Sequence, residues 1–236
     1  MSTKIVALQE NDNDAAKIFA IQETLKPLRT IYYKEGAAVA DSIDGVGDSV
    51  DYLLFTGGHG DFVNAAPAKL NGLRPDAVKR WLAKVDTKFD AIILDTCFSS
   101  SFVPTFAGHL EMGGAIVCAH GSGEGFTDAL INPQNKGKSV GEALGTVTDG
   151  ISGLGLHFTS LSLYVRSNQG MKLYTTNTGQ QRSDGLSTRQ NFGMDADSAA
   201  ELRQLDGFLI GKLVAIEPVT LDGLRVKLKN HITMAI

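Results

Sequence analysis

Two short stretches of this chain gather side chains that can do covalent chemistry. LLFTGGHGD, Leu53 to Asp61, sets His59 among glycines; AIILDTCFSSSF, Ala91 to Phe102, sets Cys97 behind an acid and ahead of three serines. A thiolate is the reactive form of cysteine. An imidazole that titrates near neutral pH can favour the thiolate and then carry protons through an acyl transfer. Gly58 and Gly60 leave the backbone beside His59 open to a substrate, so the Gly60 amide, together with that of Cys97, is suited to hold a developing oxyanion. Ser99, Ser100 and Ser101 are expected to begin the next turn and cap helix amides with their hydroxyls.

Each stretch opens as a strand. Tyr52 to Thr56 (YLLFT) is broken by Gly57 and Gly58, and Ala91 to Leu94 runs straight into the acid and thiol. In a parallel sheet the residues just past the carboxyl ends of adjacent strands lie side by side, and open α/β sheets bind ligands there. His59 and Cys97 are 38 positions apart, room for one crossover through a helix predicted from Pro75 to Val85 with proline in its first turn. Strands are predicted at Lys4 to Leu8, Thr30 to Tyr33, Gly114 to Ala119, Leu161 to Arg166 and, briefly, Leu224 to Leu228. Helices are predicted at Asp14 to Leu25, ending near Pro27, at Ser139 to Val147 and at Ala196 to Leu213. The alternation implies an α/β fold with a mostly parallel sheet. Asn177 to Asn191 is polar and rich in turn formers, an exposed loop. Gly150 to Gly155 reads as a turn, so residues 1–236 form a single domain.

Composition narrows the classes of function. The 236 residues are 43% hydrophobic and 20% charged, with a formal charge of -4, so no global basic field exists to hold nucleic acid or an acidic bilayer. No apolar run approaches the roughly 20 residues that span a membrane. The N-terminus lacks the long apolar region of a signal peptide. Two cysteines, Cys97 and Cys118, are too few for a disulfide framework and suit a reducing compartment, so a cytoplasmic location is expected, although export without a cleaved leader would leave no trace in the sequence. A zinc site from His59, Cys97, Cys118 and His120 lacks metal-ligand spacing, and the glycines lack the Lys-Ser/Thr ending of a phosphate loop. No cofactor is therefore expected.

The two blocks resemble those of the caspase-like cysteine peptidases of clan CD. LLFTGGHGD is similar to the family's histidine block and IILDTCFSS to its cysteine block, closest to metacaspase and clostripain types. Gly113 to Leu130 is similar to the strand and loop that follow the nucleophile, and the likeness covers roughly residues 50 to 130. It implies a three-layer caspase-hemoglobinase sandwich of about six strands with helices on both faces. It makes Cys97 the nucleophile, His59 the acid/base, and Gly60 and Cys97 the oxyanion donors of an endopeptidase acting on protein or peptide substrates. Asp95 stands where similar enzymes with Arg or Lys specificity often carry an acid. Cleavage after a basic residue is the expectation, with Asp61, Asp128 and Glu124 as other acids able to serve. The caspase Gln-Ala-Cys-x-Gly signature is absent. Lys136, Lys138, Arg182 and Arg189 are candidate points of self-cleavage.

Blander readings stand beside these. Cys118, between Val117 and Ala119, reads as core packing. His120 is a turn residue or a substrate contact, and His109, His157 and His231 have no partner legible in the sequence. Asp95 could simply cap a neighbouring amide, as aspartates often do. A catalytically weak binding or regulatory module on the same fold, or a thiol acyltransferase or esterase, are the alternative functions.

Overall fold

The computed structural model describes residues 5–10, 15–26, 29–33, 52–56, 60–61, 69–70, 80, 82, 88–96, 99–119, 125–153, 161–175 and 213–236. Over these the chain is an α/β protein built on one open, mixed sheet. Strands β1 (Ile5–Glu10), β2 (Arg29–Tyr33), β3 (Tyr52–Thr56), β6 (Phe89–Asp95), β7 (Leu110–Ala119), β8 (Leu161–Ser167), β9 (Gly170–Thr175) and β10 (Leu213–Pro218) lie in the order β10-β9-β8-β7-β6-β3-β1-β2. Neighbouring pairs from β2 through β7 are parallel; β8 runs against both β7 and β9, and β10 is parallel to β9. A separate antiparallel pair joins β4 (Gly60–Asp61) to β5 (Lys69–Leu70). The sheet is thus mostly parallel, as expected, but has eight strands where about six were anticipated.

The centre of the sheet is apolar on both faces, which is why its strands read as continuous hydrophobic runs rather than alternating ones. Ala91 and Ile93 of β6, Ala115 and Val117 of β7, and Leu161, Leu163 and Val165 of β8 share one face. They are covered by α1 (Ala15–Leu25), α3 (Phe126–Ile131), α4 (Val140–Gly153) and α5 (Leu221–His231), through Ile21, Phe126, Leu130, Val140, Leu144, Leu224 and Leu228. Ile92, Leu94, Ile116 and Cys118, on the alternate positions, are fully buried too. A 3-10 turn, Ser99–Phe102, packs beside β7 and leads into a short helix α2 (Val103–Phe106), whose Val103 and Phe106 have no exposure. Each such side chain stabilises the fold by about 1.5–3 kcal/mol.

Local chemistry explains most element boundaries. Helix α1 stops at Leu25 because Lys26 turns to φ 43°, the left-handed region, one residue before Pro27. Strand β7 starts at Leu110, four residues before the predicted Gly114, and its early part bulges. Phe89 pairs with Leu110 but Ala91 with Ala115, and a Cβ on Gly114 would meet the Phe89 and Glu111 carbonyl oxygens at 2.9 Å. Glycine is required there because two backbones nearly touch.

The segment Leu224 to Leu228 corrects the sequence reading. It is not a strand but the middle of α5, which begins where Thr220 caps the Gly223 amide at 3.1 Å and ends with Lys229 and His231 in its last turn. Leu-Arg-Val-Lys-Leu alternates like a strand, yet the buried residues are Leu224 and Leu228 while Val226 is exposed, the helical spacing of four. Strands β9 and β10 add to those predicted, and Leu213, predicted as a helix end, opens β10. The predicted helix from Ala196, the one from Pro75 apart from residues 80 and 82, and the loop Asn177 to Asn191 lie outside the described residues.

Candidate functional site

The geometry that matters lies at the carboxyl ends of β3 and β6. These strands are direct neighbours, parallel and in register from Tyr52 opposite Ala91 to Thr56 opposite Asp95. They therefore end level with one another at the same edge of the sheet. His59 follows β3 by three residues and Cys97 follows β6 by two. Both of those residues, with His120 and Glu124, lie outside the described residues. Gly60 and Asp61 form β4, opposite Leu70 and Lys69.

Asp95 is described in full, and its surroundings are those of a cap. The residue is 4% exposed; Oδ1 accepts from the amides of Gly125 and Phe126, each at 3.1 Å, and Oδ2 from that of Thr127 at 2.8 Å. The first turn of α3 cannot satisfy these amides itself, because every helix start leaves its leading N–H groups without intrahelical acceptors. Gly125, at φ 112°, offers no side-chain cap, so a residue 30 positions earlier supplies it. Of the two uses considered for Asp95, pairing with nearby amides is the one its hydrogen bonds display. The tentative assignment to substrate binding finds both oxygens already engaged.

Ser99 also departs from expectation. Rather than capping a helix, its hydroxyl is buried and donates to the Leu94 carbonyl at 3.0 Å while accepting from the Ala119 amide at 3.0 Å. It joins the end of β6 to the end of β7. With Asp95, Thr96 and Thr127, it makes this edge of the sheet a place where buried polar side chains concentrate. Buried polar groups persist where they are hydrogen-bonded, and the amides that donate to Asp95 and Ser99 come from 20 to 32 residues away, beyond the reach of any local sequence signal.

Other candidates fall elsewhere. Cys118 is a fully buried residue of β7. Asp128, 65% exposed, pairs with Lys17 at 3.4 Å and ties α3 to α1. His109 and His231 are half-buried, and in both burial lowers the imidazole pKa, helped by Lys88 and by Lys227 respectively. His231 stacks on Tyr174 at 6.2 Å. His157 lies outside the described residues. Among the described residues no three His, Cys, Asp or Glu side chains cluster as a metal site, and no helix is long and apolar enough to cross a membrane.

Lys136 and Lys138, considered as self-cleavage points, sit in a pinned segment. The Gly137 amide donates to the Ile236 carbonyl at 3.1 Å, Ile236 donates back to Lys138 at 2.9 Å, and buried Asn135 bonds the Ala129 carbonyl. Arg182 and Arg189 lie outside the described residues. A scan of protein-family models finds none that matches this chain, and no curated protein matches it.

Proposed function

We propose that the chain is a cysteine endopeptidase of caspase-like fold, with Cys97 as nucleophile and His59 as acid/base. The observation that carries this reading is the register of β3 on β6, with Thr56 opposite Asp95. A segment of three residues reaches at most about 11 Å and one of two about 7 Å, against about 4.8 Å between neighbouring strands. An imidazole three residues past one strand and a thiol two residues past the other are within mutual reach. The strand order gives a mostly parallel sheet, and open α/β folds bind ligands at the carboxyl edge of such sheets.

In this reading the Cys97 thiolate attacks the scissile carbonyl carbon, and the resulting oxyanion is held by the amides of Gly60 and Cys97. His59 protonates the leaving amine as the C–N bond breaks, leaving an acyl-thioenzyme. Water then attacks the thioester, giving its proton to His59, and Cys97 leaves as thiolate. Cleavage after Arg or Lys requires a carboxylate near the substrate's basic side chain. Asp95 is occupied by three amides, so Asp61, next to Gly60 and across from Lys69 in β4, is the better acid for that task. Self-processing is directed to Arg182 or Arg189, because cleavage at Lys136 or Lys138 would need the pairing with Ile236 undone.

A panel of fluorogenic peptides with Arg, Lys, Asp or Asn before the bond, run on wild type and Cys97→Ala, tests chemistry and specificity together. Turnover of the basic peptides by wild type alone supports the reading. Silence across the panel, with no labelling of Cys97 by an acyloxymethyl ketone, leaves a binding or regulatory module instead. Transfer of the acyl group to an added amine in preference to water identifies an acyltransferase.

A further inference from the structure

The hydrogen bonds of Ser99 replace a rung of the sheet. The parallel ladder between β6 and β7 closes at Ile93 opposite Val117. Its next rung would run from the Ala119 N–H to the Leu94 carbonyl. Those two groups are the ones the Ser99 hydroxyl bridges, at 3.0 Å to each. Two hydrogen bonds end to end span up to about 6 Å where one spans about 2.9 Å, so the hydroxyl lets the strands part at their carboxyl ends while no buried backbone group goes unsatisfied. Two residues before Cys97, Asp95 is fixed to the first turn of α3; two residues after it, Ser99 is fixed between β6 and β7. The thiol is bracketed in sequence by two buried anchors on different elements.

We propose that Ser99 is a positioning residue for Cys97, its hydroxyl holding the thiol's segment at an edge opened by the missing rung. This inference rests on the reading of Cys97 as the nucleophile. Alanine at 99 either orphans the Leu94 carbonyl and Ala119 amide or lets them bond directly and close the edge. Both outcomes shift the segment that carries the thiol, and a shift of about 1 Å in a reacting group can lower turnover on the order of 100-fold.

The test compares wild type, Ser99→Ala, Ser99→Thr and Ser162→Ala by steady-state kinetics and by the pH profile of Cys97 alkylation with iodoacetamide, read by peptide mass spectrometry. Ser162 is a control for losing a buried hydroxyl, since it bonds Thr175 at 2.9 Å between β8 and β9. Ser99→Ala is expected to lower kcat about 10- to 100-fold with KM little changed and to displace the alkylation profile. Ser99→Thr, which keeps the hydroxyl, recovers most of both, and Ser162→Ala leaves both as in wild type. A Ser99→Ala enzyme with wild-type kcat and profile overturns the inference and leaves the peptidase reading intact. So does an equal kcat loss in Ser162→Ala. A wild-type Cys97 no more reactive than a simple thiol, in a protein without turnover, overturns the peptidase reading and this inference with it.

Discussion

At the carboxyl edge of β6, the amide of Gly125, two of α3 and one of β7 are satisfied by side chains, Asp95 and Ser99, that are themselves buried. On the flank where α4 meets α5 and the C-terminal residues, the buried hydrogen bonds that draw the elements together are made by backbone. Gly141 donates to the Ile232 carbonyl at 3.0 Å and Val140 to that of Met234 at 2.6 Å, and the polar side-chain pairs there, Glu142 with Lys229 and Arg225 with Asp222, lie toward solvent. Burying a polar group is costly unless its partners are fixed, so the β6 edge trades solvation for a single geometry. The flank only has to bring two helices together. That difference separates an edge held in one geometry by buried side chains, where the proposed site lies, from a flank that contributes stability.

Asp95→Ala should have the largest effect. Two buried amides and one part-buried amide lose their acceptor together, a loss of about 3–5 kcal/mol, visible as a drop in urea midpoint, and turnover should fall further than unfolding explains. Gly141→Ala comes next. An added Cβ would lie 2.1 Å from the Leu228 carbonyl oxygen, forcing α5 away for about 2–3 kcal/mol, while kcat per folded molecule stays at the wild-type value. If Gly141→Ala lowered kcat as Asp95→Ala does, the separation of the two regions would collapse. Thr220→Ala, which removes only the cap on Gly223, should cost about 1 kcal/mol and leave kinetics untouched.

Which parts of this could be read from the sequence follows from the range of the interactions involved. Tyr52 to Thr56 was legible to the residue because an apolar run bounded by Gly57 and Gly58 is a local signal. The pairing of that strand with β6 followed from one crossover length and the neighbour rule for parallel sheets. Asp95 was visible as an acid, but its partners at 125 to 127 exist only once α3 has docked. Ser99 is hidden from the sequence for the same reason: its acceptor is five residues back, but its donor belongs to β7. Strand β9, GMKLYT, is short and carries Lys172, so it gave no clear period. Helix α5 imitates a strand in sequence because Leu224, Val226 and Leu228 alternate, and the cap at Thr220 that decides the matter stands before the segment.

The smallest predicted effect tests the solvent-facing side of the comparison through pH. At the start of α4, Glu142 Oε2 accepts from the Ser139 amide and hydroxyl, each at 2.9 Å, while the Ser139 hydroxyl accepts from the Glu142 amide at 3.2 Å, a reciprocal cap. Oε1 meets Lys229 of α5 at 2.8 Å. The Lys229 hydrogen bond first, then those from Ser139, hold the Glu142 pKa down at about 2, against an ordinary value of 4.5. The folded protein therefore keeps this group ionised after the unfolded chain has begun to protonate it. Its contribution is complete above pH 4.5 and is lost as pH falls toward 2. Glu142→Gln removes the titration. Urea midpoints of wild type and variant should differ most near neutrality, converge between pH 4.5 and 2, and differ less in high salt, because the pair is open to solvent. Parallel midpoint curves across that window would mean that the α4–α5 flank gains nothing from this carboxylate and is held by its backbone hydrogen bonds and apolar packing.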